Sequence, residues 1–215
     1  MLKRPGIATT AHSRRRCQGR TTLNSMNRCM RLIPLPAVLL SLLLLPASPV
    51  AAQDISRNMP VPVLDLERYA GTWYEVAHLP MFFQRKCVRD TTATYTLQDD
   101  GTIEVRNACT TAKGKRIEAL GVAQPVPGNP GSLRVRFAPK WTSWLPMTWA
   151  PYWVIGVDPD YRWAVVGGPD RDHLWILSRD PVMDAQLYAT LVEQLGALGY
   201  PVDELVRGAQ TLASP

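Results

Sequence analysis

The feature that most constrains this chain is a run of short segments with period-two alternation, separated by tight-turn residues. Residues 72–79 form the first. Residues 91–97 (TTATYTL) run into Gln98-Asp99-Asp100-Gly101, and 102–108 (TIEVRNA) come back. β-Branched and aromatic residues on both sides of Asp-Asp-Gly predict a hairpin. Residues 115–124 end at PVPGNPG (125–131), and 132–137 return. Residues 151–157, a turn at 158–161, residues 162–166, a turn at 167–170 and residues 173–179 complete the series. Consecutive antiparallel strands with short turns describe an up-and-down meander, and about eight of them must close or cover their edges. The period changes only at 184–198, where Leu187, Leu191, Leu195 and Leu198 fall at helical spacing before Gly199 and Pro201. Residues 202–206 are placed beside the first strand. The expected fold is all-β: an eight-stranded antiparallel up-and-down barrel with one C-terminal α-helix packed outside. A barrel of eight strands is filled by its own side chains or holds one small ligand, so binding inside it is the default function.

The overall charge points to a different partner. The net charge is +6, but residues 1–52 hold eight of the 24 basic residues and no acidic one. The remainder carries 16 basic against 18 acidic residues, a net of −2, so no nucleic-acid partner is expected. The basic surplus belongs to the N-terminal segment. From Met26, Arg28 and Arg31 precede an apolar run at 32–45, and small residues follow to Ala52. That order is a secretory signal peptide over 26–52. The run is broken by Pro34 and Pro36 and ended by Pro46, too short for the roughly 20 residues that span a bilayer. Residues 1–25, with Arg14-Arg15-Arg16, are read as an over-long start or basic extension. Cys29 lies before the apolar run, and Ala51, Ala52 and Gln53 stand where a lipoprotein cysteine would follow it. The exported chain then divides into a flexible leader (53–63), the barrel domain (64–210) and a tail (211–215).

Three motifs carry a family resemblance. GTWYEVA at 71–77 is similar to the Gly-x-Trp motif of the lipocalins. Asp158-Pro159-Asp160-Tyr161, followed by WAVV at 163–166, resembles their second motif. Arg179, ending LWILSR at 174–179, resembles their third, an arginine packed across the first-strand tryptophan. The stretch GGPDRDHLWILSRDP at 167–181 is most similar to the bacterial outer-membrane lipocalins and to apolipoprotein D. On physical grounds Trp73 and Arg179 read as structural: an indole plugs one barrel end, and a guanidinium over its face adds about 0.5–2 kcal/mol; Gly71 allows close backbone approach at the floor, and the resemblance implies that Asp158 and Tyr161 are structural too.

With Trp73 at the closed end, the segments 79–90, 109–114, 138–150 and 168–172 surround the mouth. Two are unusually apolar: one holds Phe82 and Phe83, the other Trp141, Trp144, Leu145 and Trp149. Such loops act as a rim or membrane contact, as a lid over the mouth, or as a contact with a second copy in a homodimer. Strand parity assigns the lining to Glu75, Ala77, Tyr95, Leu97, Val105, Leu120, Val135, Phe137, Tyr152 and Val154, with each set turned outward by a one-residue slip. Arg85, Lys86, Arg89 and Lys140 lie near the mouth, either as ordinary solvated charges or as partners for an anionic head group.

Cys87 and Cys109 are the cysteines after the apolar run. An exported context favours a disulfide between them, although a flat hairpin centred on Asp100-Gly101 sets Cys87 opposite Gly114, so the chain must bend for the bond to form. The rival is a free nucleophilic thiol. Strand parity puts Glu75 and His78 on opposite faces, and no catalytic or metal-binding motif is present. No enzyme, cofactor or metal is therefore expected. The expected function is a lipid carrier of the cell envelope, holding a fatty acid or lysophospholipid. The resemblance implies a periplasmic or outer-membrane location and a role in membrane maintenance under stress. The alternative is an envelope interaction protein, its barrel filled, binding a partner through the tryptophan loop.

Overall fold

The computed structural model describes residues 54–137 and 149–211. A single turn of helix, α1 (Leu66–Tyr69), precedes eight strands in meander order. These are β1 (Gly71–His78), β2 (Cys87–Leu97), β3 (Ile103–Thr111), β4 (Arg116–Val126), β5 (Asn129–Arg136), β6 (Ala150–Val157), β7 (Trp163–Gly167) and β8 (Trp175–Ser178). Each pairs antiparallel with the next, and β1 pairs with both β8 and β2, which closes the barrel. Helix α2 (Ala185–Ala197) follows, capped by Asp184, whose carboxylate accepts from the Leu187 amide. A two-residue strand, β9 (Val206–Arg207), pairs with the upper half of β1.

The barrel separates two apolar clusters. The inner one gathers Trp73, Tyr95, Val105, Leu133, Val154 and Leu177. The outer one lies under α2, where Leu191 and Leu195 meet Val76, Trp163, Val165 and Ile176. β7 is buried along its whole length, WAVVG. Ala164 and Val166 face the barrel interior while Trp163 and Val165 face the helix, so both sides of the strand are covered.

Several expectations change in detail. The turn read over 125–131 is tighter, because β4 and β5 pair as far as Val126 and Asn129. The leader expected to be flexible is packed: Ile55 and Val61 are buried, and the Val61 amide donates to the Val154 carbonyl. Alternating apolar residues in that segment find the outer helix and the barrel floor, and this burial fixes it. The segments read as a signal peptide (26–52) and a basic extension (1–25), together with Trp141, Trp144, Leu145, Lys140 and most of the tail, lie outside the described residues.

Candidate functional site

The closed end is built where α1 enters β1. Trp73 is fully buried, and its indole N–H donates to the Tyr69 carbonyl at 2.9 Å. Arg179 lies 3.7 Å above the indole ring. Its guanidinium donates to the carbonyls of Arg68, Ala70 and Thr72 at 2.7–2.8 Å, so one cation caps the C-terminal end of α1 and covers the floor indole. Gly71 has φ +93°, and a Cβ there would sit 3.3 Å from the guanidinium. Glycine meets both demands. Tyr161, itself at φ +58°, accepts from the Asp65 amide and lies under the Arg68 guanidinium, which ties the second motif to α1. Burial disfavours the charged form of Asp158. The Arg162 side chain and the Arg162 and Asp160 amides outweigh this and hold its carboxyl below the usual range.

Above this floor lies a cavity of about 530 Å³ with a predominantly apolar lining. Several of its inward positions are small: Ala93, Ala119 and Ala150 line it. Small residues there leave the barrel hollow. Three tyrosine hydroxyls meet at its base, Tyr152 bonding Tyr69 at 2.7 Å and Tyr95 at 2.8 Å. Burial pushes the Tyr95 phenol up to about 12, despite its bond to Tyr152, with Glu75 adding to the rise. Burial likewise raises Tyr69 and Tyr152, so all three are neutral phenols at pH 7. Higher on the wall, Gln84 links two elements. Its amide donates to Glu75 Oε2 at 2.7 Å and accepts from the Trp175 indole at 3.3 Å. Glu75 is 4% exposed.

Of the lining expected from parity, Glu75, Tyr95, Val105, Val135, Phe137 and Tyr152 face this cavity. Four others do not. Ala77 lies under α2, because a bulge in β1 between Glu75 and Ala77 turns it to the outer face. Leu97 is two residues past the Gly71–Tyr95 pair that ends the β1–β2 ladder, so it extends below the floor and is 38% exposed. Leu120 points outward and is 58% exposed, since the inward residues of β4 are Ile117 and Ala119. Val154 faces inward but is packed into the floor cluster. The β1 bulge also overturns the separation of Glu75 and His78. The imidazole Nδ1 lies 2.9 Å from Glu75 Oε1, a close approach without hydrogen-bond alignment.

At the rim, Phe82 and Phe83 form an edge-on pair at 5.3 Å on a short 3-10 turn, 77% and 53% exposed. Trp149 is instead drawn to the opposite face of the β5 wall, half-buried beneath Arg134 and Arg136 at 4.9 and 5.1 Å. Two cation–π contacts favour that position. Cys87 and Cys109 form a disulfide. The bend it requires comes from two register shifts in β2, between Cys87 and Thr92, that bring Cys87 opposite Thr111 rather than further along the turn. Gln84, Asn107, Trp175 and Tyr69 escaped the parity reading. Asn107 alone carries a legible sign, sharing inward parity with Val105.

Among the described residues there is no group of His, Cys, Asp and Glu that could hold a metal ion, and no helix long and apolar enough to cross a membrane. Comparison with known proteins gives a consistent picture. The Lipocalin-like domain family model matches residues 64–210. Temperature-induced lipocalin-1 of Arabidopsis thaliana is 42% identical over 155 residues, 71% of this chain and 82% of that one. The outer membrane lipoprotein Blc of Escherichia coli (strain K12) is 35% identical over 180 residues, 82% of this chain and 96% of that one. Apolipoprotein D of Bos taurus is 30% identical over 150 residues, 66% of this chain and 74% of that one.

Proposed function

This chain belongs to the lipocalin-like family, and from that premise we propose that it is a non-enzymatic carrier holding one single-chain lipid, a fatty acid or a lysophospholipid, with the acyl chain inside the barrel. The observation that carries this reading is the cavity of about 530 Å³, floored by tyrosines and open beside Phe82 and Phe83. That volume lies within the roughly 300–1,000 Å³ of small-ligand sites. Burying twelve methylenes contributes roughly 10 kcal/mol at about 0.8 kcal/mol each. Association costs of about 4–15 kcal/mol offset much of it, which suits reversible loading.

The carrier is exported. The charged, apolar and small-residue order of 26–52 supports this, as does similarity to relatives named outer membrane lipoproteins. Its place is the periplasm or the outer-membrane face, where it serves membrane maintenance under stress. The exposed Phe82–Phe83 pair, with Arg85, Lys86 and Arg89 close in sequence, suits contact with an anionic lipid surface during loading. Native mass spectrometry of protein purified from cells tests the assignment. Copurifying single-chain lipid is expected. A bare chain that also fails to enhance the fluorescence of an added apolar dye would overturn it.

A further inference from the structure

The tyrosines at the base of the cavity carry one more proton than they can use. The hydroxyls of Tyr69, Tyr95 and Tyr152 meet in two hydrogen bonds, with Tyr152 in the middle, and among the described residues they make no others. Each hydroxyl has one proton to donate and rotates to suit its neighbours. Two bonds use two protons, so the third proton has no acceptor among the described residues. Three arrangements satisfy both bonds. With both outer hydroxyls donating inward, the spare proton is on Tyr152. With the chain running from Tyr69 through Tyr152 it is on Tyr95, and in the reverse direction it is on Tyr69. Tyr95 and Tyr152 line the cavity; Tyr69, packed against Trp73 at 5.2 Å between ring centroids, does not. Two of the three arrangements therefore put an unused donor on a residue of the cavity wall. Burial keeps all three phenols protonated. The wall around them is largely apolar, and its described lining holds no lysine or arginine.

We propose that the base of the cavity is a polar subsite for the far end of the ligand, where the hydroxyls of Tyr95 and Tyr152 donate to a neutral acceptor on the chain, a ketone, ester or ether oxygen. This rests on the barrel being a lipid site, and it extends the ligands to acyl chains oxygenated near their far end. A buried donor left without an acceptor is unfavourable, and an oxygen carried down to the tyrosines supplies one. Binding then shifts the triad, by hydroxyl rotation alone, towards the arrangements whose spare proton is on the wall. A carboxylate is a poor occupant of the same place. An anion in an apolar space needs a paired cation, and the described lining offers none.

The test keeps the head group constant and changes only the far end. Dodecanoate and 11-oxododecanoate, the second labelled with carbon-13 at its ketone, compete with bound N-phenyl-1-naphthylamine at pH 7. The infrared band of the labelled ketone is recorded in the complex. In the unaltered protein that band is expected at lower wavenumber than for the same ketone in hexane. In Tyr95→Phe with Tyr152→Phe it returns to the hexane position, and the affinity of 11-oxododecanoate relative to dodecanoate falls about tenfold. A change that merely reshapes the cavity weakens both chains alike and leaves their ratio. A hexane-like band in the unaltered protein, or binding of dodecanoate alone, overturns the subsite and needs no variant. So does a lowered band that persists in the double variant, because the ketone then bonds something other than the wall hydroxyls. If the dye does not bind and neither chain has any effect, the failure lies with the carrier reading itself.

Discussion

The two ends of the barrel solve opposite problems with similar materials. At the floor, one indole, one guanidinium and a turn of helix interlock, and every polar group of Arg179 that meets the barrel finds a carbonyl. At the mouth, two phenylalanines stand in solvent, a glutamine bridges a turn to the wall, and an apolar cavity lies open beside them. The floor spends its indole and guanidinium on one another. The mouth leaves some side chains unspent, and those meet a ligand first. Rigidity at one end and exposed apolar surface at the other are what a container with a single entrance requires.

If that contrast is right, damage to the floor is read as stability. Trp73→Ala removes the largest fully buried side chain there, and about 3–5 kcal/mol should be lost on urea unfolding. A loss below about 1 kcal/mol would mean that the floor is not the keystone. The disulfide gives the mouth its own anchor. Cys87 and Cys109 are 22 residues apart, and Cys87→Ala with Cys109→Ala should cost about 3 kcal/mol. Comparing unfolding midpoints with and without reductant checks the same quantity in the unaltered protein. Dye binding should fall less than stability, because the cavity floor is untouched.

The floor was also the legible end. Gly71, Trp73 and Arg179 announce themselves through residue type and order, and the structure brings them within contact. The wall was legible only where strand pairing stayed regular. Parity carried from Tyr95 to Val105 across β2 and β3 because that hairpin is in register. It failed at Ala77 because one bulge reverses a face, and a bulge leaves no mark in residue type. It failed at Leu120 for a different reason. A hollow barrel needs small inward residues, so on β4 the larger leucine sits outside and Ala119 inside. Hydrophobic size points to the interior of a solid core and away from the wall of an empty one. Tyr69 was hidden because a four-residue helix has too little length to show a period.

Changes at the rim should reverse the order of effects seen at the floor. Phe82→Ser with Phe83→Ser removes exposed apolar surface, so stability should move by no more than about 0.5 kcal/mol. Ligand uptake from anionic vesicles should slow severalfold, measured by stopped-flow fluorescence, while uptake from free solution changes little. Equal slowing from both sources would place these rings in the binding step rather than at the lipid surface.

The smallest effect concerns how the mouth is closed at its seam. Residues 206–211 lie against the upper halves of β1 and β2: the Gly208 amide donates to Val76, and the Asp90 amide donates to Ala209. Gln210 reaches the carbonyls of both Glu75 and Thr91. Asp90, in a left-handed conformation at φ +55°, holds the end of this segment by accepting from the Thr211 amide. That bond lowers its carboxyl below the usual value; burial opposes it, and Thr211 and Thr110 hydroxyls and Arg89 add to it. A depressed folded value means that the unfolded chain binds the proton more readily. The stabilisation is therefore present above the ordinary carboxylate range and is lost as pH falls through the folded value. Acidification should loosen residues 206–211 before the Arg179–Trp73 contact yields, because Arg179 donates there to carbonyls that do not titrate. Protection of the Gly208 and Thr211 amides, taken relative to the intrinsic exchange rate at each pH, should fall on going from pH 6 to pH 3. In Asp90→Asn that protection should already be reduced at pH 6 and change little with pH, with a fall in Tm of about 2 °C or less. Simultaneous loosening of the seam and the floor in acid would erase the distinction between the two ends.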